Sequence, residues 1–449
     1  MILPKAFEIN MQKLLGKKFD EYVKSLSKTA KRGFRINNNY IKTEDFGVFF
    51  DYEYSKIDGF DNLNNLLTDE KVGNSLAHHL GLLYVQEPSS MLAVESLEVE
   101  EGDTVLDLCS APGGKASQIL DKNKTGVVVC NEVVRNRANI LFSNIERQGF
   151  RNAVVTSLTP EKLADEFEEV FDKILVDAPC SGEGMFRKDP ATINEWNEGL
   201  PEFNHQRQME ILQEADKMLK GEGILVYSTC TFNIEENERT VYEFAKNYGY
   251  EVLPLPKKVQ DKVACGVQYM GDKSTVLCGR VFPHNGYGEG QFIAKLRKKS
   301  EKICIKNAKK QKNDQISRNE VKIVQDFLAE NVNIDKYNLY KIGNNIYMYN
   351  NDFAPIRNGI VNFGVNIGSI EKNRLVPHHQ LFKAYGRDFN NIINLEKDDN
   401  RIGEYLSGNE IEVDAKNGYA VVLVAGIPLG GGKVVGCRLK NYYPKGLRV

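Results

Sequence analysis

The chain has 449 residues and a mass of 50.8 kDa, enough for about two to four domains at roughly 150 residues each. Its 59 basic and 61 acidic residues leave a net charge of −2, and 41% of positions are hydrophobic; this excludes a collagen, a coiled-coil rod and a wholly disordered chain, and argues against a uniformly basic nucleic-acid binder, although a total hides local patches. No apolar run approaches the roughly 18 residues of a membrane span, and the start MILPKAFEINMQKLLGKKF has no long apolar stretch and no small-residue cleavage site, so a cytoplasmic chain is expected.

In chain order, residues 1–85 combine a helical start, Phe7 to Leu26, with the extended aromatic stretch FGVFFDYEY; they read as an N-terminal α+β unit. A different rhythm occupies 86–297. TVLDLC (104–109), GVVVCNE (126–132), NAVVTS (152–157), KILVDAPC (173–180) and GILVYSTC (223–230) are short apolar, β-branched runs. Helical patterns separate them: Ala138, Leu141, Phe142 and Ile145 fall on one helical face, and Met209, Leu212, Ala215 and Leu219 on another. Strands alternating with helices predict a Rossmann-like α/β core, a parallel sheet covered on both faces.

The pattern ends near Phe292. From Lys295 to Lys312 there are nine basic residues and one acid, Glu301. A basic linker is expected over 298–318, either solvated or in contact with nucleic acid. Residues 319–385 read as a small accessory α/β domain with one helix, Val321 to Leu328. Residues 390–449 read as a β-rich unit. Its last twenty residues carry five basic and no acidic side chains, interleaved with Tyr442 and Tyr443, a combination suited to a nucleic-acid surface.

The first strand of the alternating region runs into Cys109-Ser110-Ala111-Pro112-Gly113-Gly114-Lys115. In an open parallel sheet, ligands bind beyond the carboxyl ends of the strands, and small residues let them approach the backbone. The segment lacks both the dinucleotide fingerprint and the P-loop spacing. Glu132 follows the second strand, where a carboxylate accepts hydrogen bonds from ribose hydroxyls. A nucleoside cofactor without a pyrophosphate, S-adenosylmethionine, fits this pair of features.

Eight cysteines stand apart from one another, with no Cys-x-x-Cys pair; this argues against a zinc site, a redox motif or a disulfide scaffold, so no metal is expected. Two of them end strands. Cys180 lies in Asp177-Ala-Pro-Cys-Ser-Gly and Cys230 in Ser228-Thr-Cys-Thr. Both therefore project from the same sheet edge as the cofactor loop, next to Asp177.

These segments, with Cys-Ser-Ala-Pro-Gly-Gly-Lys upstream, resemble the RNA (cytosine-5)-methyltransferases of the Nop/Sun group. RGFRIN, YVQEPSSM and VFPHNGYGEGQFIAKL are similar to flanking family segments, and the tail GIPLGGGKVVGCRLKNYYPKGLR resembles the PUA-like RNA-binding module of the small-subunit ribosomal RNA methyltransferase F type. The resemblance implies RNA binding by the N-terminal and C-terminal units and formation of 5-methylcytosine, with 16S ribosomal RNA favoured over transfer RNA. A non-catalytic assembly factor is the alternative from another class.

The resemblance further implies Cys230 as nucleophile and Cys180 as the group assisting product release. Asp177 would hold a proton at cytosine N3, Cys109 to Lys115 would line the methionine part of the cofactor, and Glu132 would take its ribose. Attack needs a thiolate, which nearby cations favour; Lys115 and the Arg187-Lys188 pair are candidates, with phosphate contact or solvent exposure as the other reading. The family has a further acidic or polar contact after the third strand, where this chain reads Thr156-Ser157-Leu-Thr-Pro without an aspartate; Ser157 is the candidate. His284 is expected to pack in a loop rather than touch RNA. The protein is expected to act as a monomer, with RNA as its partner and no membrane.

Overall fold

The computed structural model describes residues 2–299, 316–334, 336–349, 353 and 358–449. Helices Lys5–Leu15 and Phe19–Ser25 open the chain. They lead into an antiparallel sheet of four strands in the order Tyr54–Lys56, Leu63–Leu66, Arg32–Ile36, Leu83–Val85. Among the described residues, no helix is long and apolar enough to cross a membrane.

The five apolar runs form parallel strands: β1 (Thr104–Asp107), β2 (Val127–Asn131), β3 (Ala153–Thr156), β4 (Phe171–Asp177) and β5 (Leu219–Thr229). A sixth, β6 (Gln291–Lys298), returns antiparallel to β5. Their order is β6-β5-β4-β1-β2-β3. The winding reverses between β1 and β4, which opens the crevice where such sheets take ligands. Leu106, Val129, Val154, Ile174 and Val176 pack on one layer with Phe167, Leu212 and Met218. Val105, Val128, Val155, Leu175 and Val226 pack on the other with Met91, Ile119 and Leu141. Successive strand side chains point to opposite faces, so a run such as VVVC fills both layers, and the strands read as unbroken apolar runs.

The C-terminal third holds the helix Arg318–Asn331, begun by a reciprocal cap in which Ser317 Oγ accepts from Glu320 N and Glu320 accepts from Ser317 N. A four-stranded sheet follows (Asn338–Ile342, Asn345–Tyr349, Val365–Glu371, Arg374–Pro377), then a five-stranded sheet built on Gly418–Val424, Ile427–Val435 and Arg438–Asn441.

Two expectations change. The basic run does not begin as a linker: Lys295, Arg297 and Lys298 belong to β6 and pair with Glu98, with Glu251 at 2.6 Å and with Asp216 at 3.1 Å. The apolar residues of β6 bury its face, and the cations are matched by acids on neighbouring elements; the rest of the run, 300–312, lies outside the described residues. The accessory region is also not separate. Its strand Ile360–Phe363 adds antiparallel to the edge of β3, with Phe363 opposite Val154. Phe363, Tyr347, Tyr349 and Phe353 join the same core layer as Phe167 and Phe171.

The N-terminal, catalytic and C-terminal units meet around Lys383. Its ammonium donates to the Leu80 carbonyl at 3.0 Å and to that of Pro428, and its own carbonyl accepts from Tyr40 Oη at 2.7 Å. Burial, with Arg147 adding to it, pushes this ammonium well below its ordinary value. Nearby, burial pushes the Glu146 carboxyl up to about 8, against the opposing pull of Lys383, with His378 Nδ1 3.3 Å from its Oε1. A carboxyl raised in this way keeps its proton in the fold after the unfolded chain has released it. The stability it contributes is therefore present below the ordinary carboxylate range and lost as pH rises towards 8. Glu146→Gln should raise the urea midpoint at pH 8 relative to the wild type and change it little at pH 5.

Candidate active site

The loop after β1 is shaped by local backbone needs. Gly113 has φ +112°, a region that glycine enters freely, and it lets the chain turn into the helix Gly114–Lys122. Ser110 N donates to Asn131 O at 2.8 Å, which clamps the loop to the tip of β2. Glu132 is buried; its Oε1 accepts from Val134 N at 2.9 Å, and its Oε2 lies 3.1 Å from Arg137. Between these tips lies a cavity of about 450 Å3, walled by Cys109, Ala111, Glu132, Asp177, Cys180 and Cys230, with Arg137 and Arg207 at its side.

Parallel pairing of β4 with β5 sets Asp177 opposite Ser228. Each strand then runs on to its cysteine, and the two Sγ atoms lie 3.3 Å apart. The Cys180 thiol is pushed well above its ordinary value, first by its hydrogen bond to Cys230, then by burial and by the charges of Cys230 and Glu236. Asp177 is held from both sides: Lys115 Nζ donates to Oδ2 at 2.8 Å, and Ser228 Oγ and Gln291 Nε2 donate to Oδ1 at 2.7 and 3.3 Å. Burial alone would lower the Lys115 ammonium, but Asp177, Asp107 and Cys230 together raise it. One strand away, burial and then Asp177 push the Asp107 carboxyl up to about 7, against the opposing pull of Ser110, Lys115 and the Cys109 N–H.

The candidates from sequence divide clearly. Cys180, Cys230, Asp177, Glu132, Cys109 and Ala111 wall the cavity, and Lys115 reaches it through Asp177. Ser157 does not line it: its hydroxyl donates to Val133 O at 3.3 Å and its N–H to Gly359 O at 2.7 Å. Thr159, Pro160 and Glu161 line that side instead. Arg187 is committed elsewhere, in a two-pronged pair with Glu289 at 2.6 Å per prong, whereas Lys188 is exposed. His284 stacks on Phe282 and abuts Tyr22, away from the cavity. In the tail, Arg438, Lys440 and Lys445 are exposed, and Lys433 lies over the Tyr419 ring at 5.4 Å.

Sequence reading missed the segment just after Cys230. Residues Glu235–Arg239 form one π-helical turn, a widening frequent at functional sites, and Glu236, Asn237 and Glu238 point inward. Glu236 accepts from Ser181 N at 2.8 Å, from Ser181 Oγ and from Gln208 Nε2 at 3.2 Å. Asn237 accepts from Thr229 Oγ1 at 2.6 Å and donates to Thr231 O at 3.0 Å. Glu238 pairs with Arg280, which also donates to Phe232 O at 2.9 Å. Nothing in the run Glu-Glu-Asn-Glu-Arg marks these three in the sequence; only the packed fold turns them inward.

Three family models match: 16S rRNA methyltransferase RsmB/F over residues 94–297, the N-terminal domain of 16S rRNA methyltransferase RsmF over 3–88, and the methyltransferase RsmF PUA domain over 393–449. The chain is 30% identical to the ribosomal RNA small subunit methyltransferase F of Shewanella oneidensis, over 95% of this chain and 93% of that one. A methyltransferase homolog protein from Pyrococcus horikoshii is 28% identical with a TM-score of 0.58, covering 66% of this chain and 95% of its own. The structure of NSun6 from Pyrococcus horikoshii with SFG shares the fold, at 21% identity and a TM-score of 0.58 over 66% of this chain and 99% of its own.

The Arg280–Glu238 pair is almost wholly buried. Removing one partner of such a pair leaves an unmatched charge and costs about 3–5 kcal/mol. Arg280→Leu should lose about that much stability in chemical denaturation.

Proposed function

The chain belongs to the 16S rRNA methyltransferase RsmB/F family, and on that premise we propose that it is an S-adenosylmethionine-dependent RNA (cytosine-5)-methyltransferase. It forms 5-methylcytosine in small-subunit ribosomal RNA through a bond from Cys230 Sγ to C6 of the base. The observation that carries this reading is the pair of sulfurs 3.3 Å apart, beside Asp177 on the wall of the cavity.

C5 of cytosine is a poor nucleophile. A thiolate adding at C6 pushes the C5=C6 electron pair onto C5, splitting one hard step into easier ones. Cys180 Sγ lies 3.3 Å from the attacking sulfur, within hydrogen-bond reach of it. Asp177, braced by Lys115, Ser228 and Gln291, holds a proton at N3 against the charge that develops there. The cavity fits the cofactor: Glu132 presents a carboxylate to ribose hydroxyls, and the Cys109–Lys115 loop offers close backbone approach to the methionine end. When bound, S-adenosylmethionine supplies an electrophilic methyl group on a sulfonium.

After transfer, C5 carries both a methyl group and a proton. Release removes that proton, its electron pair re-forms C5=C6, and the C6–S pair returns to Cys230. Cys180, once its own thiol proton has passed to solvent, is placed to take the C5 proton as a thiolate. The strongest influence holding its pKa up is the hydrogen bond to Cys230, and that bond ends once Cys230 is joined to carbon. The target base must be unstacked to enter such a pocket, and the exposed cations of the C-terminal unit supply phosphate contacts outside it.

RNA containing 5-azacytidine should form a denaturant-resistant adduct with the wild type and none with Cys230→Ser, while Cys180→Ala should accumulate adduct on ordinary RNA. An adduct that persists in Cys230→Ser overturns the nucleophile assignment. Bisulfite sequencing of RNA from a deletion strain should show one or more unprotected cytosines in small-subunit ribosomal RNA; loss confined to transfer RNA overturns the substrate. Glu132→Ala should weaken S-adenosylmethionine binding by about 1–3 kcal/mol, read by titration calorimetry.

A further inference from the structure

We propose that Glu236 is a positioning residue for product release: it holds Cys180, rather than Cys230, in the place from which the C5 proton is removed. The inference rests on the reading of Cys230 as nucleophile and Cys180 as release group. It goes beyond that reading in assigning a residue that touches neither substrate nor cofactor to one half of the cycle.

The two cysteines are held by largely different supports, joined where Gly184 N donates to Cys230 O at 2.8 Å and where Ser181 meets Thr231. Cys230 follows directly from β5, and Asn237 clasps the residues on either side of it through Thr229 Oγ1 and Thr231 O. Cys180 lies beyond the end of β4, in a loop without a ladder of its own. Both of its neighbours in the chain rest on Glu236 and its partner Gln208. Ser181 donates through its N–H and its hydroxyl to Glu236, and Gln208 Nε2 bridges Pro179 O at 2.9 Å and Glu236 Oε1 at 3.2 Å. Ser181 Oγ also lies 2.8 Å from Thr231 Oγ1, within hydrogen-bond reach. The chain Thr231–Ser181–Glu236 ends on a carboxyl with no solvent exposure, which burial pushes up to about 7. A buried acceptor that takes two donors from one residue fixes that residue's backbone far more tightly than a free loop would.

Adduct formation needs Cys230 in place, and this depends on β5 and Asn237. Release needs Cys180 within reach of C5, and this depends on Glu236. A displacement near 1 Å at a reacting group costs up to roughly 10²-fold in rate, so loss of Glu236 falls on release.

The test uses the full-length protein and small-subunit ribosomal RNA isolated from a strain that lacks it. Single-turnover methyl transfer, adduct level on denaturing gels and steady-state turnover are compared for wild type, Glu236→Ala, Glu236→Gln and Ser181→Ala. Thermal melting and S-adenosylmethionine binding identify which variants are folded. In Glu236→Ala, the adduct on ordinary RNA should accumulate and turnover should fall by roughly 10–10²-fold, with the first methyl transfer reduced several-fold at most. Glu236→Gln keeps an acceptor for Ser181 N–H and should recover part of the turnover. Ser181→Ala, a milder change, should accumulate adduct to a lesser degree, and it decides the matter if the Glu236 variants do not fold. First transfer and turnover falling in equal proportion, with no adduct, overturns the inference and leaves Glu236 a structural residue. Failure of the underlying reading looks different: the wild type itself then gives no adduct with 5-azacytidine RNA, or Cys230→Ser still methylates.

Discussion

Parallel pairing of β4 with β5, with Asp177 opposite Ser228, is the constraint from which the site follows. Parallel strands end on the same side of a sheet, so whatever follows each strand emerges at a common edge. Here the continuations are Pro179-Cys180 and Thr229-Cys230, and sulfurs fifty residues apart in sequence come within 3.3 Å. A one-residue slip in that register would turn one cysteine to the wrong face. The apolar alternation of β4 and β5 across two core layers prevents it, since Ile174 and Val176 belong to one layer and Leu175 and Val226 to the other. The burial that drives folding therefore also sets the chemical geometry.

Electrostatics then sorts groups that sequence presents as equivalent. Two thiols sit side by side, and the hydrogen bond to its neighbour, then burial, push the Cys180 thiol well above its ordinary value. Two aspartates end adjacent strands; Asp177 is charge-matched by Lys115 and reaches the cavity, while Asp107 lies fully buried and burial pushes it up to about 7. Arg187 and Lys188 are neighbours in the chain, yet one is taken up by Glu289 and the Ser25 carbonyl and the other faces solvent.

Much of this was legible in the sequence, for identifiable reasons. β-Branched runs spaced by helical patterns announced the central sheet, and the residues at strand tips (Cys109, Glu132, Asp177, Cys180, Cys230) could be placed because a strand tip is a defined location. What escaped notice lacks such a marker. Ser157 was chosen by its position after β3, but its hydroxyl turns back to Val133 O, and the helix that starts at Pro160 presents Glu161 instead. The inward acids Glu236 and Glu238 carry no sequence marker, because charge says nothing about which way a π-helical turn will point it. The strand Ile360–Phe363 was invisible as a partner of β3, since pairing between segments two hundred residues apart leaves no local periodicity.

That added strand bears on how the protein is made. An unpaired sheet edge invites pairing with other chains, and β3 keeps such an edge until Phe363 has been synthesised. A ribosome adding roughly 5–20 residues per second needs on the order of ten seconds or more to pass from Val154 to Phe363. Once Lys298 has been added, the nascent catalytic unit holds its two cysteines and its cofactor loop, yet its flank remains open until Phe363. The last strand of the sheet thus acts as a late closure, tying protection of the catalytic unit against misassembly to the arrival of its C-terminal neighbours.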